Sequence, residues 1–148
     1  MENKYKDTNI LILCGGKGSR LFSIVSDRPK PMAEVEESPF LDHLIDSIAF
    51  YGLKRFILCI GYMGQYIERY YHDKKKNLII IFSRELHPLG TGGALKNAQN
   101  LIEGELFIVV NGDSYCDLNF NDFIDFHIQK KALLTIAVTE VMDAKDYG

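Results

Sequence analysis

Short apolar runs alternate with segments of helical character along most of the chain. The runs are rich in Ile, Leu, Val and Phe, and they lie at residues 9–14, 55–60, 78–83, 106–111 and 133–139. They are apolar on both faces, which predicts buried parallel strands rather than a half-exposed antiparallel sheet. Helices are predicted between them by three- and four-residue apolar spacing or by glycine-marked starts, around residues 41–48, 65–72, 91–101 and 123–128. This alternation predicts a doubly wound α/β fold, with a mostly parallel, Rossmann-like sheet flanked by helices.

Glycine and polar residues follow four of the predicted strands. These strand ends read CGG, IGY, SRE and NGD, and they begin at Cys14, Ile60, Ser83 and Asn111. In doubly wound sheets, ligands bind in the crevice beyond the carboxyl ends of the strands. We therefore expect a ligand site at this edge of the sheet.

Length and composition restrict the kind of protein. At 148 residues, with 47% hydrophobic and 25% charged residues, the chain is predicted to form one globular domain. Its net charge of −3 argues against binding nucleic acid without sequence preference, which requires a basic face. The apolar runs are far shorter than the roughly 20 residues of a membrane span, and the polar N-terminus lacks a signal-peptide core. We expect a cytoplasmic protein without a membrane partner.

Cysteine and histidine do not predict a disulfide framework or a zinc site. The cysteines are odd in number and lack C-x-x-C spacing, so small buried thiols are expected at Cys14, Cys59 and Cys116. The histidines are scattered singly, without the spacing of metal ligands. No functional role is assigned to them.

The stretch LCGGKGSRLFSIVSDRPKPM, residues 13–32, carries the strongest chemical signal. Glycines after an apolar strand predict a backbone that lies against a ligand, and the cations predict that this ligand is an anion. A Walker loop does not fit, because Lys17 is followed by Gly18 instead of Ser or Thr. The dinucleotide fingerprint fits poorly, because Leu21 occupies the place of its last glycine.

A phosphate-binding loop of another kind remains. Its glycine N–H groups can point at phosphate oxygens, Arg20 can donate to two of them, and Lys30 can supply a point charge. Pro29 and Pro31 restrict the backbone around Lys30, so we expect a stiff extended segment there. The alternative is that Gly15-Gly16 forms only a tight turn and residues 28–31 only a surface loop.

Three ordered motifs resemble a known family. GGKGSRLFSIVSDRPKPMAEV resembles the G-x-G-x-R-L-x-P-L-T-x-x-x-P-K-P-M-x-x-V signature of the sugar-1-phosphate nucleotidyltransferases, with Ser23-Ile24-Val25 replacing Pro-Leu-Thr. ELHPLGTGGAL resembles the nucleobase loop of the GDP-mannose pyrophosphorylase branch, and VVNGDSYCDLN resembles the metal-binding Gly-Asp turn of the family. The resemblance covers essentially the whole chain and is closest to the D-glycero-D-manno-heptose 1-phosphate guanylyltransferases of surface-polysaccharide synthesis.

The resemblance implies a reaction and an extent. Such enzymes transfer GMP from GTP to a sugar 1-phosphate with Mg²⁺ and release pyrophosphate. Residues 1–148 would be the nucleotide-binding, N-terminal part of a nucleotidyltransferase domain. Because Tyr147 and Gly148 match a turn at the sugar site, the chain would stop inside that site, before the rest of the sugar pocket and a second acidic metal ligand.

The resemblance also implies roles for individual residues. The phosphate loop would consist of Cys14, Gly15, Gly16, Gly18 and Ser19. Arg20 would bind the departing pyrophosphate, and Lys30 would bridge the α-phosphate and the sugar phosphate. Asp113 would bind Mg²⁺, with Asp117 as a spare candidate, because Asp113 follows a predicted strand and faces the same crevice as the glycines.

The nucleobase loop would read guanine through Glu85, Pro88, Gly90 and Thr91. Glutamate can accept hydrogen bonds from the ring N–H and amino group of guanine, so GTP is expected over a pyrimidine nucleotide. Thr91 is also predicted to cap the N-terminus of the following helix.

Other readings stay open at this point. They are a mannose-1-phosphate guanylyltransferase or another pyrophosphorylase of the same chemistry, a non-catalytic nucleotide-binding domain, and a dinucleotide-dependent oxidoreductase. A homo-oligomer is possible in each case.

Overall fold

A computed structural model describes residues 5–16 and 27–141 of the chain. It separates into two compact units, Met1–Asp117 and Leu118–Gly148. The strands are β1 (Asn9–Cys14), β2 (Glu34–Val35), β3 (Ser38–Pro39), β4 (Arg55–Ile60), β5 (Ile79–Arg84) and β6 (Phe107–Asn111). The helices are α1 (Phe40–Ala49), α2 (Gly64–Tyr71), α3 (Gly90–Ala98) and α4 (Phe120–Lys130), with 3₁₀ turns at Lys30–Met32 and Gln99–Leu101. Within these ranges no helix has the length and apolarity to cross a bilayer.

Four strands form one parallel sheet in the first unit. Their order is β5-β4-β1-β6, and β2 and β3 form a separate antiparallel ribbon. Asn9 of β1 pairs with Arg55 of β4 on one side and with Phe107 of β6 on the other. The chain therefore builds outward from β1 to β4 and β5, then returns to place β6 on the free side of β1. The predicted fold class is confirmed. The strand order changes direction between β1 and β6, and such a change leaves a crevice at the carboxyl ends of these two strands.

The helix α3 covers one face of the sheet. Leu11, Ile57 and Cys59 on that face form a buried cluster with Ala94 and Ala98 of the helix. The small alanine side chains let the helix backbone approach the sheet closely. The apolar positions of β1 and β4 on this face are thereby removed from water.

The opposite face packs against α2, and α1 is hydrogen-bonded to α2. Its fully buried side chains in β1 and β4 are Ile10, Ile12, Phe56 and Leu58. Gly64 begins α2 against Ile60, where an added Cβ would lie 3.2 Å from the Ile60 Cβ. The hydroxyls of Tyr70 and Tyr71 donate to Asp42 of α1 at 2.5 and 2.9 Å, which ties the two helices together. Burial on both faces explains why the central strands lack a polar side.

The second unit contains α4 but not the strand predicted at residues 133–139. The Asn119 side chain caps α4 by accepting from the N–H groups of Asn121 and Asp122. After the helix, the described residues of this unit have no regular structure, and Leu133 and Val138 are 104% and 88% exposed. The prediction is wrong because an apolar run becomes a strand only when another strand pairs with it, and this part of the unit provides no such partner.

The cysteine predictions have mixed outcomes. Cys14 and Cys59 are buried at the ends of β1 and β4, as expected. Cys116 is exposed, so the expectation of a buried thiol there is wrong. It lies in the irregular segment after β6, away from the apolar strands that bury the other two.

Candidate active site

A cleft of about 310 Å³ opens at the carboxyl ends of β1 and β6, within the first unit. Residues from the first glycine loop, the Lys30 turn, the segment after β5 and the end of β6 meet there. The residues predicted from sequence that line it are Cys14, Gly15, Gly16, Lys30, Glu85, Pro88, Gly90, Thr91 and Asp113. The topology thus brings three separate sequence motifs into one cleft.

Other predicted residues lie outside the described ranges. These are Gly18, Ser19 and Arg20 of the phosphate loop, the departure at residues 23–25, and Tyr147 and Gly148 of the sugar turn.

The cleft also contains residues that sequence reasoning did not select, namely Leu13, Pro31, Ala94 and Asn111. Asn111 could have been found, because it directly precedes the Gly112-Asp113 turn and ends a predicted strand. Leu13 and Ala94 gave no signal, since apolar residues in a strand or helix look the same whether they face a core or a ligand.

Lys30 is presented by a 3₁₀ turn. Pro29 before it is extended, and the Met32 N–H donates to the Pro29 carbonyl oxygen at 2.8 Å. Pro31 and Met32 are buried and anchor the turn. The predicted extended segment at Lys30 is therefore wrong, because the φ that proline fixes also suits the first residues of a helical turn. The backbone that carries the lysine is nonetheless fixed.

Lys30 and Asp113 form an ion pair inside the cleft. The Lys30 Nζ donates to Oδ2 of Asp113 at 2.7 Å, and the two side chains are 33% and 39% exposed. Burial raises the pKa of Asp113, but the hydrogen bond and charge of Lys30 outweigh it, so the pKa lies below its usual value. Asp113 is therefore a carboxylate at neutral pH, and its nearest described cation is Lys30.

The glycine before Asp113 is required by space. The Gly112 N–H donates to the Leu13 carbonyl oxygen at 2.9 Å, which continues the pairing of β1 and β6 by one residue. A Cβ on Gly112 would lie 2.8 Å from that oxygen and 2.8 Å from Cys14 Sγ. Close packing of Gly112 on the end of β1 therefore fixes where Asp113 enters the cleft.

Glu85 is held at the opposite side of the cleft by backbone groups. Its own N–H donates to the Ile60 carbonyl oxygen at 2.8 Å, and its Oε2 accepts from the Leu89 N–H at 3.2 Å. A Cβ on Gly15 would lie 2.9 Å from Glu85 Oε1. The carboxylate therefore contacts the phosphate loop. Burial raises the pKa of Cys59 to about 11, and the negative charge of Glu85 is the second cause of this rise.

The start of α3 differs from the prediction. Leu89 occupies the N-cap position without a side-chain hydrogen bond, and Thr91 lies inside the first turn. The expected Thr91 cap is therefore wrong. Gly90 has φ +69°, a left-handed conformation that glycine adopts without strain. Because α3 begins at Gly90, Thr91 lies past the N-cap position. Thr91 still lines the cleft.

Asn97 holds the segment between β5 and α3 in place. Its Nδ2 donates to the Ser83 Oγ at 2.9 Å and to the Arg84 carbonyl oxygen at 3.0 Å. Ser83 is buried at the end of β5. The bonds join α3 to the strand end, so both ends of the segment that carries Glu85 are fixed.

The donors in the cleft suit a hard cation bound jointly with phosphate. Over residues 5–16 and 27–141, no three His, Cys, Asp or Glu side chains come together as a self-sufficient metal site. Asp113 supplies one carboxylate, and Ser114 Oγ donates to its Oδ1 at 3.3 Å. Mg²⁺ commonly uses one or two carboxylates and completes its shell with phosphate and water oxygens, so this donor set fits it.

Comparison with known proteins identifies the fold and the family. Residues 9–148 match the nucleotidyl transferase family. The chain is 37% identical over 138 residues to the D-glycero-alpha-D-manno-heptose 1-phosphate guanylyltransferase of Aneurinibacillus thermoaerophilus, covering 93% of this chain and 60% of that protein. It is 38% identical over 143 residues to the mannose-1-phosphate guanylyltransferase catalytic subunit beta of Dictyostelium discoideum, covering 93% of this chain and 39% of that protein.

Solved structures agree with this comparison. HddC from Yersinia pseudotuberculosis, solved as a complex with GMP-PN, superposes with a TM-score of 0.74 at 42% identity, covering 82% of this chain and 54% of that chain. The UDP-glucose pyrophosphorylase of Acinetobacter baumannii has a TM-score of 0.72 at 19% identity, covering 84% of this chain and 54% of that chain, and supports the fold alone. The chain thus spans about 60% of the length of the Aneurinibacillus thermoaerophilus relative. Because the family match extends over residues 9–148, which is most of the chain, the chain belongs to the nucleotidyl transferase family.

Proposed function

We propose that the protein transfers GMP from GTP to a sugar 1-phosphate, namely D-glycero-D-manno-heptose 1-phosphate, and releases pyrophosphate. The observation that carries the proposal is that Lys30, Asp113 and Glu85 meet in one cleft at the switch point of the sheet. Relatives at 35–37% identity are named guanylyltransferases of this heptose phosphate, which supports the substrate class.

The proposed step is an in-line displacement at the α-phosphorus of GTP. A phosphate oxygen of the sugar 1-phosphate forms a bond to that phosphorus, the bond to the β-phosphate oxygen breaks, and pyrophosphate leaves with the electron pair. The nucleophile is already an anion, so no general base is required. The protein must instead bring two anions together and neutralise developing charge.

The predicted site residues have defined parts in this proposal. Lys30 Nζ neutralises the α-phosphate and the incoming sugar phosphate, while the amides of the Gly15-Gly16 loop bind phosphate oxygens. Asp113 would hold Mg²⁺, which neutralises triphosphate charge when bound. Arg20 would bind the departing pyrophosphate, and Tyr147 and Gly148 would contact the sugar.

Glu85 is the proposed guanine reader. Its Oε2 is held by the Leu89 N–H, while Oε1 faces Gly15 at the cleft. A carboxylate can accept from the ring N–H and the amino group of guanine, and a pyrimidine cannot present that pair of donors. Pro88, Gly90 and Thr91 complete the wall beside it.

The product would be a nucleotide-activated heptose for surface-polysaccharide synthesis. We place the reaction in the cytoplasm, where GTP is available. The enzyme would act as a monomer or a homo-oligomer.

The test is pyrophosphate release by the whole protein with Mg²⁺, each nucleoside triphosphate and a panel of sugar 1-phosphates. Release with GTP and the heptose 1-phosphate, and a loss of about 100-fold or more in Lys30→Gln and Asp113→Asn, would support the proposal. Release with mannose 1-phosphate instead would make it a mannose-1-phosphate guanylyltransferase. GTP binding without release for any sugar would identify a non-catalytic nucleotide-binding domain.

Glu85→Gln tests base selection separately. The amide keeps the size of the side chain but loses one acceptor, so GTP should bind about tenfold or more weakly, while ATP binding should change little. If GTP and ATP affinities fell equally, Glu85 would not read the base.

A further inference from the structure

Lys30 and Asp113 are paired with each other in the cleft. Their proposed functions point to different ligands, since the lysine would bind phosphate and the carboxylate would bind a divalent cation. Yet Nζ of Lys30 lies 2.7 Å from Oδ2 of Asp113, so its positive charge would repel a cation bound to that oxygen. The lysine and a metal ion therefore compete for the same carboxylate oxygen.

The ion pair between Lys30 and Asp113 is strong, and it is exposed enough for ligands to replace either partner. A charge-assisted hydrogen bond of this length is stronger than a neutral one, so its loss has to be compensated. Both side chains are about a third exposed, so water and ligands can reach them without unfolding the site. The other described carboxylate of the cleft, Glu85, is already bonded to the Leu89 N–H.

We propose that ligand binding exchanges these partners: a divalent cation takes the Asp113 carboxylate, and the Lys30 ammonium that it releases takes a phosphate group. The proposal rests on the function proposed above, which assigns both residues to ligands. It adds that the cation and the phosphate bind with positive coupling. A cation on Asp113 releases Lys30 for phosphate, and phosphate on Lys30 releases Asp113 for the cation. By linkage, the cation tightens phosphate binding by the same factor by which phosphate tightens cation binding.

Cation binding without nucleotide tests the first half of the exchange. Mn²⁺ can be titrated into metal-free, nucleotide-free protein and followed by the electron paramagnetic resonance signal of the free ion. Lys30→Met removes the competitor, so it should bind Mn²⁺ about five- to tenfold more tightly than the unchanged protein. Lys30→Arg keeps a cation of fixed charge and should stay close to the unchanged protein. Equal Mn²⁺ affinity in all three would overturn the proposal.

Anion binding without metal tests the second half. Inorganic tripolyphosphate can be titrated calorimetrically in the presence of a chelator. Asp113→Asn should bind it more tightly, because it releases Lys30, and the gain should vanish when Lys30→Met is also present. Asp117, the spare metal candidate from the sequence, is not among the residues that line the cleft. Asp117→Asn therefore removes the same charge from the segment after β6 and serves as the matched control.

The double-mutant cycle separates exchange from a general charge effect. A gain of about fivefold or more for Asp113→Asn that depends on Lys30 supports the proposal. A gain that is equal in Asp117→Asn, or that persists in the Lys30→Met background, overturns it. Thermal unfolding of every variant establishes that each is folded.

These measurements use neither a sugar phosphate nor turnover, so the two proposals can fail separately. A coupled cycle in a protein that never releases pyrophosphate would leave the exchange standing and remove guanylyl transfer. Pyrophosphate release together with an additive double-mutant cycle would leave guanylyl transfer standing and remove the exchange.

Discussion

Gly15 and Glu85 touch across the cleft, with so little space between them that a Cβ on the glycine would lie 2.9 Å from Glu85 Oε1. The contact joins the loop proposed to bind phosphate to the side chain proposed to bind guanine. Gly15 is therefore needed for the room it leaves to Glu85, apart from any part its amide takes in phosphate binding.

Gly15→Ala should weaken GTP binding without unfolding the protein. The atom it meets is the end of a flexible side chain, which can rotate away, so the melting temperature should change little. The displaced carboxylate would lose its charged hydrogen bonds to guanine, worth about 1.5–3 kcal/mol each, so affinity should fall about tenfold or more. Calorimetric titration of GTP measures this loss.

Gly16→Ala is the matched comparison for that measurement. A Cβ on Gly16 would have no heavy atom of the described residues within 4 Å, so Glu85 should stay in place. The loss of GTP affinity should accordingly be smaller than in Gly15→Ala. Equal losses would mean that the Gly15–Glu85 contact has no part in binding.

Two neighbouring glycines of α3 should respond in opposite ways to alanine. A Cβ on Gly93 would lie 2.7 Å from the Cβ of Leu89, so Leu89 must shift, and with it the N–H that holds Glu85. A Cβ on Gly92 meets no atom within 4 Å over residues 5–16 and 27–141. Gly93→Ala should lower both the melting temperature and GTP affinity, whereas Gly92→Ala should stabilise the helix by up to about 1 kcal/mol.

Thermal melts and GTP titrations of these two variants check the prediction. If Gly93→Ala bound GTP as tightly as Gly92→Ala, the position of Leu89 would not control Glu85.

The three cysteines should differ in reactivity. Burial, then the charge of Glu85, raises the pKa of Cys59 to about 11, and burial also raises the pKa of Cys14 well above its usual value. At about pH 8, only about one Cys59 in a thousand would be a thiolate. Iodoacetamide should therefore modify exposed Cys116 first, as peptide mass spectrometry can show.

The same reaction in denaturant should modify all three thiols. Early modification of Cys14 or Cys59 in the folded protein would contradict their burial at the strand ends.

Asn9 should stabilise the sheet without affecting ligand binding. Its buried amide accepts from Arg55 Nε at 2.9 Å and from the Glu103 N–H at 3.3 Å, and it donates to the Glu103 carbonyl oxygen. These bonds lie at the opposite end of β1 from the cleft. Asn9→Ala leaves those groups unpaired, so the free energy of unfolding should fall by about 1–3 kcal/mol.

Urea denaturation measures that loss, and GTP titration should give an unchanged dissociation constant. Asn100→Ala, at an exposed position, should change the free energy of unfolding by less than about 0.5 kcal/mol. If Asn9→Ala lowered the free energy of unfolding no more than Asn100→Ala, the hydrogen bonds of Asn9 would not stabilise the sheet.

The sheet could be predicted from the sequence, but the contacts within its cleft could not. The apolar runs of β1 and β4 are buried on both sides, and this leaves a clear pattern. The same pattern failed at residues 133–139, because hydrophobicity does not report whether a partner strand exists. The motifs predicted that Lys30 and Asp113 share an edge of the sheet, whereas their direct pairing depends on a strand order that sequence does not display.

The smaller errors have local causes. Thr91 resembles a helix cap in sequence, but α3 begins at Gly90, and Leu89 takes the N-cap position. The proline-bracketed Lys30 suits either an extended or a helical turn, and burial of Met32 selects the second.

Placement of β6 next to β1 has a consequence for how the protein is made. It joins Lys30 to a residue 83 positions later, so the cleft needs contacts that only a nearly complete first unit can form. Long-range parallel pairing is also the slow part of forming such a sheet. While the chain emerges from the ribosome, β1, β4 and β5 can assemble first, and the nascent protein acquires its cleft only after β6 has been synthesised.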